Sequence, residues 1–428
     1  MTSTLLKTSP LHTPQIHRLP NGLTVIAEQM PVEAVNLNLW VNIGSAVESD
    51  DINGMAHFLE HIVFKGTNKL ASGEFEQRIE EKGAVTNAAT SQDYTHFYIT
   101  TAPKDFAELA PLQIDVVCNP SIPQDAFEKE RLVVLEEIRR SEDNPRRRIS
   151  RHTIQTAFDL LPYRRPVLGS HEIISQVTPQ QMREFHQNWY QPSSMTAVAV
   201  GNLPVEELIE IVAQGFAQNT QPSQFLSSQN EPLKVNQETP FTEIVRQQFV
   251  DESLQQARLI ILWRVPGMMD LQNTYALDVV AGILGHGRTS RLVNDLREEK
   301  GLVSSISVSN TNYKLQGIFS ISAKCDPENV EIVEKAIIEH LGKIHTELVQ
   351  TSEIARVRTR VANRFIFGNE TPSNRSSLYG YYQSIIGELE PAFNYPQHIQ
   401  SQTEHDLMVA AQKYLPTNAY GVVVIKPN

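Results

Sequence analysis

Two histidines four residues apart, His57 and His61, with Glu60 directly before the second, sit in an otherwise apolar run, Gly54-Met55-Ala56-His57-Phe58-Leu59-Glu60-His61-Ile62-Val63-Phe64. On a helix, positions i, i+3 and i+4 share a face, so both imidazoles and the carboxylate would point at one spot. Neutral imidazole nitrogen binds zinc at about 2.0–2.1 Å, and a catalytic zinc takes three protein ligands and keeps a fourth position open. Glu60 would stand where it can take a proton from water in that position. The order H-x-x-E-H reverses the commoner zinc-protease order H-E-x-x-H. Coincidence is the competing explanation: with 13 histidines in 428 residues, chance yields the pattern in roughly a few per cent of such chains. Chance would also leave polar groups on an apolar face, where they need partners to offset desolvation.

A third ligand has to come from elsewhere. In Phe127-Glu128-Lys129-Glu130-Arg131-Leu132-Val133-Val134-Leu135-Glu136-Glu137-Ile138, the spacing of Leu132, Leu135 and Ile138 predicts a helix with one buried stripe. Glu130 and Glu137 are two turns apart on one side, and Glu136 is rotated by about 100° from Glu137. A solvated acidic face would account for the same glutamates, and composition leaves both Glu136 and Glu137 open.

The elements that must carry these groups read as two similar halves. The first opens with strand-like Leu23–Ala27 and Leu37–Ile43, passes through the His57 segment to β-rich Thr95–Thr101, and closes after long helical patterns on Met195–Val200. The second repeats the order: a strand at Ala257–Trp263, a helix at Tyr275–Leu284, a strand at Gly317–Ala323, further helices, and a closing strand at Tyr420–Ile425. Between them, Gln218–Thr239 is rich in Gln, Ser, Asn and Pro without periodicity, which is linker composition. The expected division is a metal-binding catalytic domain at 1–217, a linker at 218–239, and a homologous domain without a metal site at 240–428. In the second half the corresponding helix runs into Gly285-His286-Gly287-Arg288, where one histidine lacks a partner at i+4 and the glycines lack the Lys-Ser/Thr of a phosphate loop. One site per chain is therefore expected. In the first half, Gly83–Thr90 begins with turn residues and carries small side chains. As an exposed edge strand it would accept a peptide through main-chain hydrogen bonds, although an ordinary loop is the simpler account from the residues alone.

Composition narrows the partners. A net charge of −12, from 37 basic and 49 acidic residues, argues against nucleic acid and anionic membranes. A chain of 428 residues can bury a large core and suggests two or three domains. Arg146-Arg147-Arg148, preceded by Glu142 and Asp143, reads as solvated surface. Cys118 and Cys325 are in no ligand-like spacing and read as buried thiols of a reducing compartment. No run of 18 or more apolar residues occurs, so no membrane span is expected. Residues Met1 to Val25 lack the apolar core of a secretory signal, and Pro10, Pro14 and Pro20 break the amphipathic helix of a transit peptide. The expected location is a bacterial-type cytoplasm, with an organellar matrix as the alternative.

The whole chain resembles the pitrilysin/insulinase family of zinc peptidases, in its mitochondrial-processing-peptidase-like branch. The resemblance rests on His57-Phe58-Leu59-Glu60-His61, Leu19-Pro20-Asn21-Gly22-Leu23, Phe64-Lys65-Gly66-Thr67, and Glu130-Arg131 followed by Val133-Val134-Leu135-Glu136-Glu137-Ile138. It implies an α+β fold of two related domains, each a mixed, largely antiparallel sheet with helices packed mainly on one face, and a dimer enclosing a chamber. It also implies one Zn2+ per chain, held by His57, His61 and a glutamate about 76 residues further on; 137 − 61 = 76 selects Glu137. Glu60 then becomes the general base, and Glu130 matches a family glutamate that supports activity without being a ligand. Asn87 and Ala88 match the pair on the strand that receives substrate. The implied function is a zinc-dependent endopeptidase hydrolysing peptides or presequence-like segments.

One departure from the family stands out. Many members carry an Arg and a Tyr seven residues apart in the second half, binding substrate and the tetrahedral oxyanion. Arg297 is present, but 297 + 7 is Ser304, too short to replace a phenol. In the two-chain branch this pair acts in trans, so Arg297 would face a partner's metal site. The resemblance thus implies a catalytic subunit of a heterodimer whose homologous partner supplies an intact Arg/Tyr pair. A homodimer in which Tyr313 replaces the phenol is the alternative. Two other classes compete with the peptidase. One is a non-peptidase structural core subunit of the same fold, as in the respiratory cytochrome complex, where the metal motif is usually eroded. The other is a binding module with structural zinc, which needs four protein ligands where this chain offers three and a base.

Overall fold

The computed structural model describes residues 13–220 and 236–428. Residues 221–235, most of the expected linker 218–239, and residues 1–12 of the N-terminal arm lie outside the described residues.

Two sheets carry the fold. β1 (Gln15–Arg18), β2 (Thr24–Gln29), β3 (Val35–Val41), β4 (Val85–Thr90), β5 (Thr95–Thr101) and β6 (Met195–Gly201) take the order β1-β2-β6-β3-β5-β4. β2 and β6 run parallel and the other neighbours antiparallel. β7 (Val245–Val250), β8 (Ala257–Pro266), β9 (Ser305–Asn312), β10 (Gln316–Cys325) and β11 (Gly421–Lys426) take the order β7-β11-β8-β10-β9, with β7 and β11 parallel. Setting β1 aside, the two orders coincide strand for strand, so the repeat read from element order is present and the α+β class holds.

The helices of the first half are α1 (Met55–Ile62), α2 (Glu74–Glu81), α3 (Pro103–Cys118), α4 (Gln124–Asp143), α5 (Pro145–Ala157), α6 (His171–Gln176), α7 (Pro179–Trp189) and α8 (Val205–Asn219). Those of the second are α9 (Tyr275–Gly285), α10 (Val330–Thr346), α11 (Thr351–Phe367), α12 (Pro372–Ile386), α13 (Glu390–Ser401) and α14 (Glu404–Tyr414). Packing does not follow the continuous halves 1–217 and 240–428. Of the described residues, one compact unit takes 13–134, 172–220 and Phe367–Phe393; the other takes Leu135–His171, 236–366 and Asn394–Asn428. The division falls inside α4, which is one unbroken helix.

Each unit has a helix on the face its sheet would otherwise leave open. In the first, α12 lies against β3 and β6. β3 is buried along its whole length, including Asn36, Asn38 and Trp40, whose alternation with leucines reads as a half-exposed strand. Buried amides need partners: Asn36 donates to the Ile99 carbonyl at 3.0 Å and accepts from the Ser376 hydroxyl of α12. Gly380 of α12 sits against the Trp40 indole, where no side chain fits. Glu28, 1% exposed, accepts from the Tyr379 hydroxyl at 2.7 Å and pairs with Arg375. In the second unit α5 plays the same part against β11 and β8. His152 stacks on Phe249 with centroids 3.6 Å apart, and Arg148 pairs with Asp251 at 2.6 Å. Arg148 is thus half-buried in an ion pair, while Arg146 and Arg147 are exposed as the solvated reading of the cluster expects. The other face of this sheet builds an apolar core with Trp263, Phe319, Leu284 and Ile337. Cys118 and Cys325 are free thiols. No helix among the described residues is long and apolar enough to cross a membrane.

Candidate metal centre

α1 starts badly on its own residues. Its N-cap, Gly54, lies in the left-handed region at φ +98° and has no side chain to cap with. Glu48, fully buried, supplies the cap from outside the usual positions. Its Oε2 accepts from Gly54 N at 2.8 Å and Asn53 Nδ2 at 2.9 Å, and its Oε1 from Ala56 N at 2.7 Å. A carboxylate there also complements the positive end of the helix. Sequence reasoning missed Glu48; an acid upstream of an uncapped helix was the one available signal. The preceding residues are stitched to the β4–β5 hairpin, with Ser45 N and Ala46 N donating to the Ser91 and Gln92 carbonyls at 3.2 and 2.8 Å. Gly44 permits this approach, since a Cβ would collide with both carbonyls. The end of β4 is thereby laid beside α1.

On α1, His57 is 7% exposed, and the His57 and His61 rings have centroids 4.8 Å apart. α4 brings the acids. Its buried stripe is Phe127, Val134 and Ile138; of the predicted stripe Ile138 is buried and Leu135 half-buried, but Leu132 is 67% exposed, so the stripe is shifted in phase. Glu130 and Glu137 each follow a buried residue of the true stripe by three positions, which turns them toward the protein. Glu130 Oε1 is 3.0 Å from His61 Nδ1, and its Oε2 accepts from Lys65 Nζ at 2.9 Å. Burial pushes the Glu130 carboxyl up, but the hydrogen bonds from His61 and Lys65 outweigh it and hold it below the usual carboxylate range. Two turns on, Glu137 joins the histidines: one ligand atom each from His57, His61 and Glu137 lie within 4.8 Å of one another. Glu136 is directed elsewhere. It pairs with Arg139 at 2.8 Å and Arg140 at 2.9 Å, which hold its carboxyl at about 2.

These residues fit a zinc ion. Glu130 engages Nδ1 of His61, which leaves Nε2 for a metal and fixes the ring. Two imidazoles and one carboxylate are nitrogen and oxygen ligands of the right kind, and three of them leave a tetrahedral position for water or substrate. Among the described residues, no other group of three His, Cys, Asp or Glu is so placed. Glu60 accepts from the Thr90 hydroxyl at 2.5 Å. Behind it, Tyr190 is 4% exposed, and burial together with the Glu60 charge pushes its phenol up.

β4 is the outer strand of its sheet, paired only with β5. Asn87 is exposed, and its Oδ1 accepts from the Ala88 N–H at 2.9 Å. Gly83–Thr90 therefore ends in an edge strand, where the loop had been the simpler expectation. In the second unit, Arg297 lies in a π-helical turn, Val293–Glu299, with its guanidinium on Glu298 at 2.6 Å. The Ser304 hydroxyl donates to Gln256 Oε1 at 2.9 Å. Tyr313 follows the opposite end of β9 and stacks on Tyr163 at 4.5 Å. At about 3.3 Å per strand residue it lies well away from position 304.

The chain is similar along most of its length to known proteins. The family model described as Insulinase (Peptidase family M16) matches residues 23–171, and that described as Peptidase M16 inactive domain matches 176–361. An uncharacterized zinc protease of Mycobacterium tuberculosis is 28% identical over 97% of this chain and 93% of its own. A probable mitochondrial-processing peptidase subunit beta of Arabidopsis thaliana is 25% identical over 96% of this chain and 78% of its own. Among solved structures, a protease from Helicobacter pylori has the same fold, with a TM-score of 0.90 at 24% identity, covering 98% of this chain and 100% of that one.

Proposed function

Since the chain belongs to the insulinase family of peptidases, family M16, we propose that it is a zinc-dependent endopeptidase acting on peptides or presequence-like segments. The observation that carries the proposal is the convergence of His57, His61 and Glu137, with Glu60 on the helix that bears both histidines. His57, His61 and Glu137 would hold a zinc ion, which would supply polarisation of the scissile carbonyl and a lowered pKa, toward about 7, for water at the site. The side chains do the rest. Glu60 takes a proton from the water as its oxygen bonds to the carbonyl carbon. It then delivers that proton to the amide nitrogen as the C–N bond breaks, leaving an acid and an amine. The β4 edge, with Asn87 and Ala88, holds the peptide as an added strand, and backbone pairing makes the specificity broad.

Glu60→Gln is expected to keep zinc and lose turnover, while His61→Ala and Glu137→Ala lose the metal and Glu136→Gln keeps both. Wild-type peptidase rates from Glu60→Gln in a contaminant-free preparation would overturn the assignment. Absence of zinc and of peptidase activity in the native protein would favour the structural core subunit instead.

The active unit is a heterodimer in this reading, because Ser304 stands where a phenolic donor is needed. Loss of one oxyanion donor costs about 10²–10³ in kcat, which a homologous partner with an intact Arg/Tyr pair restores in trans while Arg297 faces the partner's site. The relative named as a subunit of a processing peptidase supports this. Full activity of the isolated homodimer, with no gain from a candidate partner, would refute it.

A further inference from the structure

We infer that Thr90 is a positioning residue that fixes the Glu60 carboxylate and ties it to the substrate strand; this rests on the reading of Glu60 as general base. The Thr90 hydroxyl donates to Glu60 Oε2 at 2.5 Å. A glutamate on a helix surface has three soft torsions, and a short hydrogen bond to its charged form removes much of that freedom. Thr90 can act as an anchor because it is itself held from three sides. Its backbone pairs with Thr95 across the β4–β5 hairpin. The fully buried Thr95 hydroxyl donates to the Ile43 carbonyl at 2.9 Å and lies 3.3 Å from Thr90 Oγ1. The hairpin loop, through Ser91 and Gln92, is bonded to Ser45 and Ala46 just ahead of α1.

The consequence is geometric. Thr90 is two residues beyond Ala88, so the two side chains share a face of β4. A peptide paired along β4 and the base that serves its scissile bond then belong to one frame. A slip of the carboxylate relative to the peptide of about 1 Å can cost 10²-fold in rate, and Thr90 is placed to prevent that slip.

The test compares zinc-loaded wild type with Thr90→Val, which keeps the shape and removes the hydroxyl, and Thr90→Ser, which keeps the hydroxyl. Thr90→Val should retain zinc and KM, lose about 10- to 100-fold in kcat, and show the Glu60 carboxylate rotated away from position 90 in a crystal structure. Thr90→Ser should recover kcat to within a few fold. Undiminished kcat in Thr90→Val, an equal loss in Thr90→Ser, a change confined to KM, or an unmoved Glu60 carboxylate would each overturn the inference. If Thr90→Val releases Glu60 while zinc-loaded wild type cleaves no peptide either alone or with a candidate partner, the positioning role stands and the peptidase reading fails.

Discussion

Replacing Glu130 by glutamine probes how the metal ligands are held. Its carboxylate lies 3.0 Å from His61 Nδ1 and 2.9 Å from Lys65 Nζ. Glu130→Gln preserves volume and leaves one acceptor, but the charge is gone. A hydrogen bond to a charged group is roughly twice as strong as a neutral one, so His61 loses orientation and basicity, and the new amide sets a donor against the Lys65 ammonium. Loss of such an outer partner typically costs about 10- to 100-fold in metal affinity, or about 1.4–2.8 kcal/mol at 1.4 kcal/mol per decade. Competition of the apo protein with a chromophoric zinc chelator, at fixed pH and ionic strength, measures this directly. Thermal unfolding of the apo forms checks that the fold survives. A zinc Kd within twofold of wild type, with the fold intact, would refute the role assigned to Glu130.

Two further outcomes concern stability. Burial raises the Asp278 carboxyl to about 6 from an unfolded value of 3.8, although Asn310 and Tyr395 hydrogen-bond it. The folded state therefore holds the proton more tightly, and stability should fall by up to about 3 kcal/mol as pH rises from roughly 4 to 6. Asp278→Asn should flatten that fall in denaturant titrations, and an unchanged slope would count against it. Glu48→Ala removes three hydrogen bonds from the start of α1. It should cost about 2–4 kcal/mol, read as a lower calorimetric transition; an unshifted transition would show that α1 does not depend on this cap.

What was legible in the sequence is what depends on neighbours a few residues away. His57, Glu60 and His61 share a face because of helical periodicity alone, and strands such as Thr95–Thr101 show in their own alternation. The phase of α4 is local as well, set by Phe127 and Val134 rather than by the exposed Leu132. Tertiary structure decided the rest. Glu48 caps α1 by folding back over a turn; Thr90 meets Glu60 because a hairpin loop is bonded ahead of α1; Glu137 rather than Glu136 faces the histidines. The largest surprise has the same origin. α5 and α12 each cover a sheet built mainly from the other half of the sequence, a choice no local pattern records. Propensity and periodicity act along the chain, whereas burial of a second sheet face and the pairing of Asn36 or Glu28 are satisfied by whichever residues the fold brings near. Patterns local to the chain carry the elements and the chemistry of one helix. Which distant side chains complete that chemistry depends on folding, because their partners are neighbours in space and not in sequence.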